Sequence, residues 1–157
     1  MPAAGHRSAS RAATPNAVVD TNVWLDVFLF LDPGARRLAQ ALAGGELLAL
    51  RSRATDAELR TVLDRQPLAG RWDEAARESS LKRWQALARE WDAGAIRPAP
   101  WQCRDPMDQK FLDLASASGA RWLLTKDRAL LDLAAKARAA GLRIVTAREF
   151  ERLQAAD

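Results

Sequence analysis

The chain has 157 residues, of which 48% are hydrophobic and 28% are charged, and it carries a formal net charge of +4. These values are typical of one soluble domain, and no apolar run approaches the roughly 20 residues that a membrane span requires. The single histidine, His6, and the single cysteine, Cys103, exclude histidine-based triads, an internal disulfide and a cysteine-rich zinc site. We therefore expect a cytoplasmic protein in which carboxylates, lysines or a bound metal ion carry any chemistry.

Residues 1–16 are small, polar and free of acids, and they lack the hydrophobic segment of a secretory signal. We expect a flexible tail here, followed by one folded domain over residues 17–157. Within that domain, short apolar runs alternate with segments of helical spacing. In chain order, the predicted elements are a strand at 17–20, helices at 21–30 and 33–43, a strand at 46–50, helices at 55–65 and 73–92, a short strand or loop at 95–103, a helix within 103–115, a strand at 121–125, a helix at 128–141, a strand at 142–146 and a helix at 147–154.

Four acids are expected at one edge of the predicted sheet. Strands separated by helices of about ten or more residues predict a parallel sheet under helices, and ligands bind such sheets at the carboxyl ends of the strands. Asp20 and Asp127 follow predicted strands, while Glu58 and Asp108 lie on helices that could face the same edge. Asp105 precedes a proline and is expected to cap the helix, which leaves Asp108 free to point toward the sheet.

Each of these acids has a structural explanation as well as a functional one. A strand-end aspartate often caps a turn, and Thr55 and Glu58 have the spacing of a capping box. If the acids do converge, each pair at about 4 Å repels by roughly 4 kcal/mol at an effective dielectric near 20. Such a cluster is partly protonated or binds a cation, and oxygen ligands select Mg²⁺ or Mn²⁺. A divalent ion can generate hydroxide from water near neutral pH, which removes the need for a histidine base.

Five segments carry a resemblance to a known family, and in chain order they read VVDTNVWLD, TDAELRTVLDR, CRDPMDQKFLDLA, LLTKDRALLDL and RIVTAREFERL. Together they resemble PIN-domain proteins, and in particular the PIN-family toxin components of bacterial toxin–antitoxin pairs, over about residues 17–153. The resemblance implies a three-layer α/β fold, with a central parallel sheet of four to five strands flanked by helices. It also implies Mg²⁺- or Mn²⁺-dependent ribonuclease activity with four acids around the metal, which fall here on Asp20, Glu58, Asp108 and Asp127.

The resemblance also assigns supporting positions and shows some departures. Asn22 matches the asparagine of the DTN motif and Thr125 the threonine before the last acid, and both are expected to support the acids by hydrogen bonds. Asp105, the expected helix cap, is a further candidate supporting residue. Met107 and Gln109 interrupt what is often a longer acidic run, and Lys126 stands where a glycine often precedes the aspartate. Lys126 is expected to contact phosphate or to compete with a second ion, so one and two metal ions both stay open.

The basic balance of the chain has two interpretations, which are solubility and a polyanionic partner such as nucleic acid. Trp72 and Trp101 each lie beside an arginine and could stack single-stranded bases, whereas Trp84 and Trp91 share a predicted helix face and are expected in the core or in a dimer contact. A basic rim around the acids would hold RNA phosphates. The candidates for RNA contacts are Arg53, Arg104, Lys110 and Lys126.

The leading hypothesis is therefore a metal-dependent endoribonuclease, the toxin of a toxin–antitoxin pair. The resemblance implies an antitoxin whose peptide arm covers the acids, and homodimers are common in the family. The alternative is a non-catalytic PIN-fold module that binds RNA or protein. A receiver-like phosphoacceptor domain is disfavoured, because the early strand offers one aspartate, Asp20, rather than an acidic pair.

Overall fold

The computed structural model describes residues 13–65, 73–91 and 96–156. Within these residues, five short strands form one all-parallel sheet of order β3-β2-β1-β4-β5. This confirms the predicted parallel sheet of four to five strands. Most of the predicted tail, residues 1–12, lies outside the described residues. The strands are β1 (Asn16–Val19), β2 (Leu48–Arg51), β3 (Ala88–Glu90), β4 (Trp122–Leu124) and β5 (Arg143–Val145).

Helices connect the strands, and a 3-10 turn at Pro33–Ala35 precedes the second helix. Among the described residues, no helix has both the length and the apolar character that crossing a bilayer requires. The helices are α1 (Thr21–Phe28), α2 (Arg36–Ala43), α3 (Arg53–Arg65), α4 (Glu74–Leu87), α5 (Gln109–Ser118), α6 (Arg128–Leu131), α7 (Ala134–Ala139) and α8 (Ala147–Ala155).

The helices cover both faces of the sheet, and each face has its own core. Along β1, Val18 packs into one core while Ala17 and Val19 pack into the other, as the two-residue period of a strand requires. Helices α1 to α4 and α8 close the first core, which contains Trp84, and α5 to α7 close the second, which contains Phe111. Burial on both faces explains why the strands read as near-continuous apolar runs.

The third strand was not predicted. The predicted helix at 73–92 is wrong at its C-terminal end, because the chain leaves α4 after Leu87 and pairs with β2. The pairing continues one residue beyond β3, where the backbone N–H of Trp91 donates to the carbonyl of Arg51 at 2.8 Å. Trp84 and Trp91 therefore pack on opposite faces of the sheet rather than on one helix face. Tertiary pairing overrides a helical propensity that is only a weak local preference.

Two other local differences affect the site. The predicted helix at 128–141 is divided into α6 and α7 by a two-residue turn. Helix α3 begins at Arg53 rather than at Thr55, and the side chain of Ser52 caps it by accepting the Thr55 N–H at 3.2 Å. The Thr55 hydroxyl oxygen in turn accepts the Ser52 N–H at 2.8 Å. The expected capping box between Thr55 and Glu58 is therefore wrong, and the Glu58 carboxylate is free to make other contacts.

Candidate active site

Asp20 and Asp127 follow neighbouring strands at the centre of the sheet. After β1, the chain forms β2 and β3 on one side of β1, and it then forms β4 and β5 on the other side. The direction in which strands are added to the sheet therefore reverses between β1 and β4. Asp20 caps α1, where its Oδ1 accepts the Val23 N–H at 2.9 Å. Asp127 caps α6, where its Oδ1 accepts the Ala129 N–H at 2.9 Å. Both side chains are thus fixed at the carboxyl edge of the sheet.

Thr125 links these two acids. It is completely buried, and its hydroxyl donates a hydrogen bond to Asp20 Oδ2. The same hydroxyl oxygen accepts the backbone N–H of Asp127 at 2.9 Å. The position of Asp20 relative to Asp127 is therefore set by one side chain that both residues contact.

Asp105 and Asp108 reach this edge from the turn before α5. Asp105 Oδ1 accepts the Met107 N–H at 2.9 Å and its carbonyl accepts the Asp108 N–H at 3.1 Å, so Asp105 caps the turn. The expected cap of α5 is wrong, because Asp108 holds the N-cap position and makes no capping bond with its side chain. One carboxylate oxygen from each of Asp105, Asp108 and Asp127 lies within 4.8 Å of the other two.

Gln109 explains how this turn is held in place. Its carbonyl oxygen accepts the Cys103 N–H at 2.7 Å, and its amide group donates to the Trp101 carbonyl at 3.0 Å and to Asp113 at 2.9 Å. Asp113 also accepts the Ala99 N–H at 2.8 Å. An ionised aspartate or glutamate cannot donate these hydrogen bonds, so the departure from an acidic run at this position has a structural reason.

Burial, together with neighbouring negative charge, perturbs two of the acids. Burial raises the pKa of Asp20 to about 6, and the negative charges of Asp127 and Glu58 act in the same direction, while hydrogen bonds from Thr125 and Val23 oppose the rise. The negative charge of Glu58 therefore acts on the carboxyl group of Asp20. The ionised form of Asp20 is therefore less favourable than that of an exposed aspartate, although it still predominates at neutral pH.

Asp108 is perturbed further. Burial raises the pKa of Asp108 to about 7, and its hydrogen bond and charge repulsion with Asp127 and the charges of Asp105 and Asp20 add to the rise. Two ionised carboxylates have no hydrogen to share, so Asp108 bonds to Asp127 only when one of the pair is protonated. In the ionised pair, Asp108 Oδ2 is buried without a hydrogen-bond partner among the described residues.

Glu58 is held differently, because both of its carboxylate oxygens have donors. The Thr21 hydroxyl donates to Oε2 at 2.5 Å and the Lys110 ammonium donates to Oε1 at 2.8 Å. Thr21 is the middle residue of the DTN motif, whereas the expected supporting residue, Asn22, is exposed on α1. Thr21 was not predicted from the sequence, although its place directly after Asp20 is a signal that could have indicated it.

The other expected cations are less closely associated with the acids. Lys126 forms an ion pair with Asp26 at 2.8 Å, and Arg104 pairs with Asp132. Arg53 is exposed at the start of α3. Of the two tryptophans considered for base stacking, Trp101 is half-buried against the second core and Trp72 lies outside the described residues. Lys110 is thus the candidate cation that contacts one of the four acids.

The donor set fits a hard divalent cation. The converging ligand atoms are carboxylate oxygens, which Mg²⁺ and Mn²⁺ prefer, and neither histidine nor thiolate ligands join the cluster among the described residues. The buried Asp108 oxygen without a partner is the kind of atom that a bound cation satisfies. The acids therefore form a candidate metal centre at the sheet edge.

The fold and this centre define a parallel α/β domain with an acidic site at its topological switch point. A family model described as PIN domain matches residues 16–129, so the chain belongs to the PIN domain family, whose members are generally nucleases. This confirms the family resemblance of the sequence. A search of the curated proteins finds no match.

Two solved structures show the same fold. One is the structure of VapBC2 from Rickettsia felis bound to a DNA fragment from its promoter, which matches with 14% sequence identity and a TM-score of 0.53. The match covers 82% of this chain and 96% of that chain. PAE2754 from Pyrobaculum aerophilum is 22% identical with a TM-score of 0.58, and the match covers 94% of this chain and 95% of that chain. At these identities, the similarity supports the fold.

Proposed function

We propose that the protein is a Mg²⁺- or Mn²⁺-dependent endoribonuclease that hydrolyses RNA phosphodiester bonds and acts as the toxin of a toxin–antitoxin pair. The observation that carries the proposal is the cluster of carboxylate oxygens from Asp105, Asp108 and Asp127, in which a buried Asp108 oxygen has no partner among the described residues. The charge of Asp20 acts on Asp108, and the charge of Glu58 acts on Asp20. Asp20, Asp105, Asp108 and Asp127 would hold the metal, and Glu58 borders them.

In this proposal the divalent ion and the side chains around it have different roles. A bound divalent ion supplies Lewis-acid activation of water and neutralises charge on the phosphodiester. Asp20 and Asp108 release protons to bind it, since both are easily protonated in the metal-free protein. Thr125 and the Val23 N–H orient the Asp20 carboxylate, and their hydrogen bonds stabilise its ionised form.

The proposed substrate is RNA, which agrees with the net charge of +4. Exposed Arg53 would contact phosphate directly, and Lys110 lies next to the acids. Arg104 and Lys126 are engaged in ion pairs with Asp132 and Asp26, so they would bind phosphate only by exchanging partners. The Arg104–Asp132 pair is exposed and therefore weak, so Arg104 can exchange partners at little cost, whereas Lys126 would leave the buried Asp26 carboxylate without its partner.

The proposed protein partner is an antitoxin, which the Rickettsia felis VapBC2 neighbour supports. An extended arm of the antitoxin would offer an arginine to the acidic site, where the carboxylates attract a cation. We also propose that the chain forms a homodimer. Its proposed location is the cytoplasm. A neighbouring reading frame for a short DNA-binding protein with a basic arm would support the partner, and an isolated gene would count against it.

RNA cleavage by the purified protein tests the activity. We expect Asp127→Asn to abolish Mn²⁺-dependent cleavage of single-stranded RNA while the fold is retained. The matched control is Asp73→Asn, because Asp73 also caps a helix by accepting a backbone N–H, at 2.7 Å, but is exposed. Mn²⁺-dependent cleavage that survives in an Asp20→Asn, Asp127→Asn double variant would refute the assignment.

A melting curve separates the ribonuclease from a non-catalytic PIN-fold module. Ligand binding to the native state raises the melting temperature, so millimolar Mn²⁺ is expected to stabilise the natural sequence and not Asp108→Asn. If Mn²⁺ leaves the melting temperature of the natural sequence unchanged, the binding-module alternative is favoured.

A further inference from the structure

Lys110 places a fixed positive charge against Glu58, one of the four predicted acids. Its ammonium donates to Glu58 Oε1 at 2.8 Å and to the carbonyl of Met107 at 2.8 Å. The side chain is 22% exposed, and that of Glu58 is 15% exposed. The pair joins the first turn of α5 to the middle of α3, so two helices position the ammonium.

This contact divides the acids into two kinds. Glu58 has a donor on each oxygen, one from Lys110 and one from the Thr21 hydroxyl. Asp108 lies with Asp105 and Asp127 in a cluster that does not include Glu58, and one of its oxygens has no partner among the described residues. A divalent ion meets this oxygen in the cluster, whereas at Glu58 it would have to displace a cation that is already bonded.

The lysine expected to compete with a second metal was Lys126, from its place beside Asp127. The structure turns the Lys126 ammonium to Asp26, at 2.8 Å. The lysine that contacts one of the four acids is Lys110, which is 52 residues from Glu58 in sequence.

We propose that the Lys110 ammonium takes the place of a second metal ion, so that the protein binds a single divalent ion on the side of Asp105, Asp108 and Asp127. Lys110 is a positioning residue in this scheme, because it holds Glu58 away from the ion. The inference rests on the proposed function, since it assumes that the acids bind a metal.

Counting bound Mn²⁺ tests the inference without measuring cleavage. Calorimetric titration, together with electron paramagnetic resonance of free Mn²⁺, is carried out on the full chain, Lys110→Met, Lys110→Arg and Lys136→Met. Lys136 is exposed on α7, so Lys136→Met controls for the loss of one positive charge. We expect one Mn²⁺ per chain for the natural sequence, Lys110→Arg and Lys136→Met, and a second, weaker Mn²⁺ for Lys110→Met.

Two Mn²⁺ ions on the natural sequence would overturn this inference and leave the proposed nuclease intact, whereas no bound Mn²⁺ would contradict both. A folded Lys110→Met that binds one ion would also overturn it. Should Lys110→Met fail to fold, Glu58→Gln provides the test. We expect its Mn²⁺ affinity to stay within about threefold of the natural value, because Glu58 does not contact the ion, and a tenfold or larger loss would overturn the inference.

Discussion

Replacing Asp20 with asparagine is expected to stabilise the metal-free protein at neutral pH. Asp20 is buried, and burial raises its pKa from 3.8 to about 6. A shift of about two units corresponds to about 3 kcal/mol by which folding disfavours the ionised carboxylate. Asparagine has nearly the same shape and no charge, so this unfavourable contribution is removed.

The stabilisation should depend on pH in a defined direction. Between 3.8 and about 6 the folded protein holds a proton on Asp20 that the unfolded chain has released, so the free energy of unfolding falls as the pH rises. Asparagine does not titrate. The advantage of Asp20→Asn is therefore about 3 kcal/mol at about pH 7.5 and about 1 kcal/mol at about pH 4.5.

The hydrogen bonds to Asp20 are already included in this value. The bonds from Thr125 and from the Val23 N–H favour the ionised carboxylate and lower the pKa that burial raises, so the shift of about two units is a net effect. Asparagine caps helices as well as aspartate, so the bond from Val23 is retained. The net expectation is therefore a stabilisation of about 3 kcal/mol at about pH 7.5 that falls to about 1 kcal/mol near pH 4.5.

Urea denaturation in the presence of a chelator measures these values. Asp73→Asn is the control, because it makes the same substitution at an exposed cap, and its effect is expected within about 0.5 kcal/mol at both pH values. An Asp20→Asn variant that is less stable than the natural sequence at neutral pH would refute the reasoning, as would a gain that does not change with pH.

Two further predictions follow from the same contacts. Thr125→Val should lower the free energy of unfolding by about 2–3 kcal/mol at neutral pH, because it removes the hydroxyl that bonds to the buried Asp20 carboxylate and to the Asp127 N–H. The loss should be smaller in acid. Thr125→Ser keeps a hydroxyl and should restore most of the loss in the same urea measurement. Mn²⁺ affinity, measured by calorimetry, should rise with pH up to about 7 and then level off, because Asp20 and Asp108 must lose protons to bind the ion. An affinity that does not change between about pH 5.5 and 7.5 would contradict this prediction.

The sequence was informative where the signal is local. Asp20 directly follows an apolar run and Asp127 comes three residues after one, and residues that follow a buried parallel strand lie at the carboxyl edge. The sheet itself was predictable for the same reason, except for β3, whose three residues continue a helical pattern and form a strand only because β2 offers a partner.

The remaining features depend on contacts that no local pattern encodes. Lys110 and Glu58 are 52 residues apart, and Thr125 and Asp20 are 105 residues apart. Sequence indicated Asp105 as a helix cap, because a proline follows it, but the turn carries its carboxylate to Asp108 and Asp127. Helix packing decides which of several nearby cations contacts one of the four acids, and this is why the sequence could not indicate that Lys110 would bond to Glu58.

The two outer strands of the described sheet bear on how copies of the chain could associate. β3 and β5 have three residues each, and β3 carries the exposed charged side chains of Arg89 and Glu90. Short, charged edges provide few unpaired backbone groups for a strand from another molecule. Self-association would therefore join helical surfaces and would not extend the sheet. Short edge strands of this kind disfavour the edge-to-edge pairing that leads to aggregation.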